Sequence, residues 1–287
     1  MLGYMSRQNT YRIESRLGGG GGGSVYRVWH ANLQKQAVIK ASKSAGHGCA
    51  QARRNEFEAL KDVRSRYLPQ VYEFITEGSN SLTVMEYIEG ESFANLLRRG
   101  CRFSRPEIIE WYCQLASALE TLHRHDICHC DVKPANIMLR PEGDICLIDF
   151  NAAFVNGNAA RVVSRSPGYA SPEQYELYEL VERNRKKTPE HVIRSMVCSI
   201  DWKRSDIYSL GAAMYHILTG NRQHERAAEV VPIKKIGRHD AKITRIIEKS
   251  MRQDPAERYA GATELAKATR RIANHNGLVR VFPQTLY

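Results

Sequence analysis

The sequence predicts an α+β protein of two lobes, a small β-rich lobe followed by a larger helical one. Three observations carry this expectation. Apolar residues alternate with a period of two ahead of the Glu89-Gly90-Glu91 segment, and beyond it they recur at helical spacing. Within the helical half lies one stretch of different character, Ile127 to Asn151, in which two short apolar runs alternate with aspartate, asparagine and lysine. At 287 residues, with 43% hydrophobic and 25% charged side chains, the chain is long enough to build a core in each lobe.

Taken in order, Tyr11 to Leu17 reads as a strand, Gly18 to Gly23 as six consecutive glycines, and Ser24 to Trp29 as a second strand. A glycine run between two strands suits a loop that must keep its backbone N–H groups unobstructed, and Gly18-x-Gly20-x-x-Gly23 fits a phosphate-covering loop. Ala37-Val38-Ile39-Lys40 is a strand ending in a lysine. Arg53 to Arg66 predicts a helix with Phe57, Leu60 and Val63 on one face and Glu56 and Glu58 along it. Val71 to Thr76 and Leu82 to Ile88 form a strand pair, and Glu89-Gly90-Glu91 a turn or linker. Helices are then expected over Phe93 to Arg99 and Pro106 to His125, the latter opened by a capping box of Ser104 and Glu107. Further helices are expected from Thr188-Pro189-Glu190, with the proline at the first helical position, then over Ser205 to Thr219, closed by Gly220, Asp240 to Arg252, and Gly261 to Ala273. Gly277 to Tyr287 shows no pattern.

The stretch from Ile127 to Asn151 carries the chemistry. The runs Ile137-Met138-Leu139 and Ile145 to Ile148, joined by Pro-Glu-Gly-Asp, predict a hairpin. Such a hairpin sets Asn136 beside Asp149, with Asp131 close by. An amide oxygen and a carboxylate at one point suit a hard cation such as Mg²⁺, and a second carboxylate can orient a hydroxyl nucleophile.

Composition narrows the alternatives. No apolar run approaches the roughly 18 residues of a membrane span, and Met1 to Ser15 lacks the apolar core of a signal peptide, so the expected location is cytoplasmic. The net charge of +11 is scattered except at Arg183-Asn184-Arg185-Lys186-Lys187, which argues against nucleic acid and leaves an acidic partner of the 177–201 segment open. Cys128 and Cys130 flank His129, but no second pair at zinc-site spacing accompanies them, and reduced thiols are expected for all seven cysteines.

In sequence order, GGGGGGSV, AVIK, HCDVKPAN, DFN and SPE resemble the signature set of the eukaryotic-type Ser/Thr protein kinases, over roughly Tyr11 to Ile272. The resemblance implies the bilobal protein-kinase fold, with an extension at 1–10, an N-lobe at 11–88, a C-lobe at 89–275 and a tail at 276–287. It implies ATP and Mg²⁺ as cofactors and a protein substrate with a Ser or Thr acceptor. Gly18, Gly20 and Gly23 would cover the phosphates, and Lys40, paired with Glu56, would hold them. Main-chain groups of Glu86 and Ile88, after Met85, would meet the adenine edge, while Val25, Val38 and Met138 would sandwich its faces. Asn136 and Asp149 would hold metal, Asp131 would take the acceptor proton, and Lys133 would steady the transferred phosphoryl. Ser166, ahead of Pro167-Gly168-Tyr169, resembles the Ser/Thr class. Asp206 resembles the aspartate that anchors the catalytic loop, and Glu173 with Arg258 a buried brace. A pseudokinase scaffold and a small-molecule kinase of the aminoglycoside type share parts of this pattern.

Four positions depart from the family pattern: Val38 stands where alanine is usual, Gly22 where an aromatic often caps the loop tip, and Cys130 and Asn151 lie in the motifs themselves. Cys130 replaces the arginine that receives an activation-loop phosphate, which implies activity without that phosphorylation. Asn151 replaces the glycine after Asp149-Phe150 and tolerates left-handed backbone. The HCD and DFN variants resemble standalone bacterial kinases.

Overall fold

The computed structural model describes residues 10–20, 23–43, 54–55, 57–77, 80–150, 153–155, 165–184, 189–223 and 230–275. Five strands build the first sheet: β1 (Tyr11–Gly20), β2 (Gly23–His30), β3 (Lys35–Lys43), β4 (Val71–Glu77) and β5 (Asn80–Glu86), in the order β1-β2-β3-β5-β4 with antiparallel pairing throughout. The glycine run continues the strands: Gly18 pairs with Val25, Gly19 with Ser24 and Gly20 with Gly23. Gly23, at φ 143°, adopts a backbone open to glycine.

Side chains of β3 alternate across the sheet. Ala37, Ile39 and Ala41 join Tyr11, Val28, Leu82 and Val84 in a small core, so Val38 and Lys40 point the other way. The helix expected over Arg53 to Arg66 ends earlier than its pattern: residues 54–55 and 57–60 are helical and the chain turns at Lys61 and Asp62. The Val63 amide bonds Leu60, and the Arg64 guanidinium caps the carbonyls of Lys61 and Val63, ending the helix while Leu60 and Val63 stay buried. Strand β5 lies two residues earlier than expected, which leaves Tyr87 and Ile88 in a connecting segment.

That segment is more than a linker. Glu91 and Ser92 form β6 (Glu91–Ser92), which pairs not with the next strand in the chain, β7 (Ile127–Cys128), but with β8 (Ile137–Leu139), itself paired with β9 (Ile145–Leu147). Gly90, at φ 135°, makes the approach possible, since a Cβ there would stand 2.1 Å from the Leu139 carbonyl oxygen. Two residues are too short for a period-two signal, so this strand was invisible to alternation.

The helical part holds the larger core. It comprises α1 (Phe93–Arg98), α2 (Arg105–Arg124), α3 (Pro172–Asn184), α4 (Glu190–Ser199), α5 (Trp202–Thr219), α6 (Ala241–Ser250) and α7 (Ala262–His275). The expected capping box opens α2: the Ser104 hydroxyl accepts from the Glu107 amide, and the Glu107 carboxylate accepts from the Ser104 amide at 2.7 Å. Gly220 closes α5 in the left-handed region at φ 72°. Pro189 is the N-cap of α4 rather than its first helical residue, because its ψ of 145° is extended. Buried side chains of α2, α5, α6 and α7 share one cluster with Ile137, Ile145 and Leu147 of the hairpin. The stretch from Ile127 to Phe150 therefore lies on a packed floor.

Candidate active site

The hairpin β8-β9 does what its sequence requires. Ile137 pairs with Leu147, and the Ile148 amide donates to the Asn136 carbonyl at 2.8 Å, so Asn136 and Asp149 end side by side. The turn between the strands is fixed by Gly143 at φ 92° and by α2. Trp111 Nε1 donates to the Gly143 carbonyl, and Gln114 both donates to Asp144 and accepts from the Ile145 amide.

Asp131 is the centre of a closed polar group. Ser166 Oγ donates to Asp131 Oδ1 at 2.5 Å, and Lys133 Nζ donates to Asp131 Oδ2 at 2.8 Å and to Ser166 Oγ at 2.9 Å. Asn136 Nδ2 donates to the Asp131 carbonyl at 2.9 Å and to Oδ2 at 3.1 Å. The Asn136 amide is thereby oriented, and its Oδ1, the hard-oxygen end, is left on the other side of the group. Asp149, at φ 72°, accepts from Lys40 Nζ at 2.6 Å. Aspartate tolerates that left-handed backbone better than most residues do.

The loop holding Asp131 is fastened from beneath. Asp206, at the buried start of α5, accepts from the amides of His129 and Cys130 at 2.8 Å each, and its Oδ2 lies 2.9 Å from His123 Nε2. His129 is fully buried, and desolvation holds its pKa below the ordinary histidine value. Its ring is neutral with one tautomer: Nδ1 accepts from the Asp131 amide, so Nε2 carries the hydrogen facing the Ile148 carbonyl at 3.1 Å. One histidine thus links the residue before Asp149-Phe150 to Asp131. His123, Cys128 and Asp206 lie within metal-ligand reach of one another, but three donors already occupy the Asp206 carboxylate.

The side chain of Cys130 makes one weak polar contact, its thiol donating to the Cys128 carbonyl at 3.5 Å. It is buried with Cys128, Leu177, Val181, Val197 and Trp202, in an apolar cluster contributed by α3, α4 and the start of α5. Burial pushes its thiol pKa well up, and Gln174 Nε2 donates to its carbonyl at 2.9 Å. The expected brace is also present. Arg258 donates to both Glu173 oxygens at 2.7 and 2.8 Å and to the carbonyls of Arg252, Arg204 and Gln253, so all five of its N–H groups are satisfied.

Between the sheet and the hairpin lies a cleft of about 490 Å³. Gly18, Val25, Val38, Lys40, Glu86, Ile88, Asn136, Met138 and Asp149 all line it, joined by Leu17, Met85 and Ile148. Gly20, Gly23, Asp131 and Lys133 lie outside its lining. Glu56, Asn151 and residues 185–187 of the basic cluster lie outside the described residues; the partner shown for Lys40 is Asp149. Leu17 read only as a strand residue, and its position beside Gly18 was the available signal. Gln174 and the bridging role of the Ser166 hydroxyl had no signature beyond their neighbours' motifs.

The profile of the family described as protein kinase domain matches residues 11–273. The chain belongs to the protein kinase domain family. Among similar kinases is a probable serine/threonine-protein kinase of Streptomyces coelicolor, 27% identical over 274 residues, covering 89% of this chain and 38% of the relative. Another is the serine/threonine-protein kinase Nek6 of Oryza sativa, 26% identical over 265 residues, 86% of this chain and 45% of that one. A third is PknA of Corynebacterium glutamicum, 26% identical over 279 residues, 90% and 55%. The kinase domain here thus spans about two fifths to half the length of these relatives. Its two parts are those of the bilobal kinase fold, a sheet followed by helices. Among the described residues no helix is long and apolar enough to cross a membrane.

Proposed function

We propose that this kinase domain transfers the γ-phosphoryl group of ATP to serine or threonine hydroxyls of proteins, with residues 11–88 and 89–275 as its two lobes. The observation that carries the reading is the hydroxyl of Ser166 seated 2.5 Å from Asp131 Oδ1 and 2.9 Å from Lys133 Nζ. Asp131 Oδ1 already accepts a hydroxyl hydrogen there, and the Lys133 ammonium donates to that hydroxyl's oxygen and to Asp131 Oδ2. An acceptor hydroxyl from a substrate needs that same geometry.

The roles follow from placement. Asp131 takes the acceptor proton as the new O–P bond forms and the bond to the β,γ-bridging oxygen breaks. Lys133 lies where it faces charge on the moving phosphoryl, and Lys40 presents a second ammonium from the sheet. Asn136 and Asp149 fit a hard divalent cation: one offers an amide oxygen, the other a carboxylate already facing a cation, Lys40 Nζ. Mg²⁺, when bound, neutralises phosphate charge. Val25, Val38 and Met138 provide apolar faces for adenine, the main chain of Glu86 and Ile88 its polar edge, and Gly18, Gly20 and Gly23 the phosphate cover, with Glu56 orienting Lys40. A cytosolic location belongs to this reading, supported by the free thiols of the described cysteines.

Activity on this reading does not wait for activation-loop phosphorylation. The side chain at position 130 is neutral and packed among apolar groups, so it offers a phosphate nothing. Incubation with Mg²⁺, labelled ATP and casein or myelin basic protein tests the whole: transfer to Ser or Thr is expected for the wild type and lost in Asp131→Ala. Phosphatase treatment of the enzyme is expected to leave the rate unchanged.

A further inference from the structure

The loop that carries Ser166 is bordered by arginines that no carboxylate among the described residues neutralises. Arg165 directly precedes Ser166, and its guanidinium lies over two rings of α3, 4.7 Å from the Tyr178 centroid and 5.2 Å from that of Tyr175. One of its nitrogens, Nη1, is buried and has no hydrogen-bond acceptor among the described residues. Aromatic faces hold a guanidinium in place but leave its charge intact and its N–H groups without a lone pair.

A second cationic group borders the same loop two residues on. The stem of Arg222 packs on Gly168: the position a Cβ would take lies 3.0 and 3.2 Å from its Cγ and Cδ. The guanidinium of Arg102 packs likewise on Gly220. Both arginines act on His216, whose pKa is lowered by burial, then by Arg222, then by Arg102. A charged His216 is thereby disfavoured, and its Nδ1 lies 2.7 Å from the Tyr169 hydroxyl. The positive charge there belongs to the two arginines.

Elsewhere in the helical part arginines meet acids: Arg99 with Glu91, Arg105 with Asp240, Arg124 with Glu120, and Arg258 with Glu173. Among the described residues no acid pairs with Arg102, Arg165 or Arg222. Arg165 is the chain neighbour of Ser166, whose hydroxyl sits on Asp131 Oδ1, so this charge stands beside the place an acceptor hydroxyl takes on the kinase reading.

We infer that the protein segment phosphorylated here is acidic, with a carboxylate or phosphoryl group close to its acceptor residue held by Arg165 and Arg222. This rests on the protein-kinase reading above and adds the substrate class. A guanidinium fork binds either anion through paired, charge-assisted hydrogen bonds, and the buried Nη1 of Arg165 gains the acceptor it lacks. Arg102 strengthens the local field.

Three peptides that differ only beside one acceptor serine test this, carrying glutamate, phosphoserine or lysine on both flanks. For the wild type, kcat/KM is expected to be at least about ten-fold higher for the glutamate peptide than for the lysine peptide, chiefly through KM, with the gap narrowing as salt is raised. A further about ten-fold gain for phosphoserine over glutamate assigns the site to a phosphoryl group, and parity assigns it to a carboxylate. Arg165→Glu with Arg222→Glu is expected to reverse the order and to turn over the lysine peptide faster than the wild type does, a gain that misfolding cannot mimic. The single Arg222→Glu change, at an exposed side chain, is expected to move the ratio the same way by a smaller factor. Equal turnover of all three peptides, a wild-type preference for lysine, or an acidic preference that survives in Arg222→Glu and in the double variant would overturn the inference alone. Absence of transfer to any peptide or protein would overturn the kinase reading and this inference with it.

Discussion

The loop that carries Asp131 is held on two sides by opposite means. Beneath it, the Asp206 carboxylate gathers the amides of His129 and Cys130 and the ring of His123 in a fully buried site. Beside it, the side chains of Cys128 and Cys130 press into an apolar cluster with Leu177, Val181, Val197 and Trp202. The polar side is directional: three donors meet the two oxygens of one carboxylate, and removing that carboxylate orphans all three. The apolar side is non-directional and depends on volume and dryness. Polar anchoring fixes where the Asp131 backbone lies, and apolar packing keeps it there without a charge that another event must supply.

The polar side should break hardest. Asp206→Ala leaves three buried donors without an acceptor, at roughly 1–3 kcal/mol each, so a loss on the order of 5 kcal/mol or failure to fold is expected in urea denaturation. Arg258→Ala is expected to cost about 3–5 kcal/mol, because it leaves Glu173 and three carbonyls without their donor. Both changes should lower stability by more than they lower the rate constant of the enzyme that remains folded. Equal melting temperatures for Arg258→Ala and wild type would show that the pair contributes nothing.

Position 130 sharpens the contrast. Cys130→Arg places an unpaired charge among Leu177, Val181 and Trp202, with an expected loss of about 3 kcal/mol. Cys130→Ala keeps the site apolar and should cost only about 1 kcal/mol. If the arginine variant were as stable as the wild type and gained activity on loop phosphorylation, the apolar cluster would be incidental packing around a phosphate receptor. The backbone at Cys130, at φ 60°, is the same in either case and favours no β-branched residue there.

How far these two sides could be read in the sequence differs for a physical reason. Asp131, Asn136, Asp149 and Asp206 stand in motifs whose spacing is set by a hairpin and a helix start, and local geometry then brings them together. Glu173 and Arg258 are 85 residues apart, yet each sits in a short motif of its own. The apolar cluster around Cys130 has no such marks. Leu177, Val181 and Val197 look like any buried helical face, and only folding shows that it is the catalytic loop they cover. The strand Glu91–Ser92 and the early end of the helix after Leu60 were hidden for a related reason. Two-residue pairings and carbonyl caps by a long arginine depend on tertiary neighbours, which periodicity does not encode.

The smallest expected effect concerns the histidine that connects the polar anchor to Asp131. Burial holds the His129 pKa below its unfolded value, so the folded protein resists protonation there. At pH above about 6.5 both states carry a neutral ring and the stability contribution is complete. As pH falls below that value the unfolded chain gains a proton that the folded one refuses, and stability declines by up to about 1.4 kcal/mol per pH unit until the folded pKa is reached. His30 and His216 shift in the same direction and add to the slope. Denaturation midpoints between pH 7.5 and 5 should therefore fall for the wild type and fall less steeply for His129→Gln, which keeps a side-chain donor but cannot titrate. An identical slope in the variant would mean that the ring is protonated in the folded protein, with Nδ1 donating elsewhere and the Asp131 amide without the acceptor assigned to it.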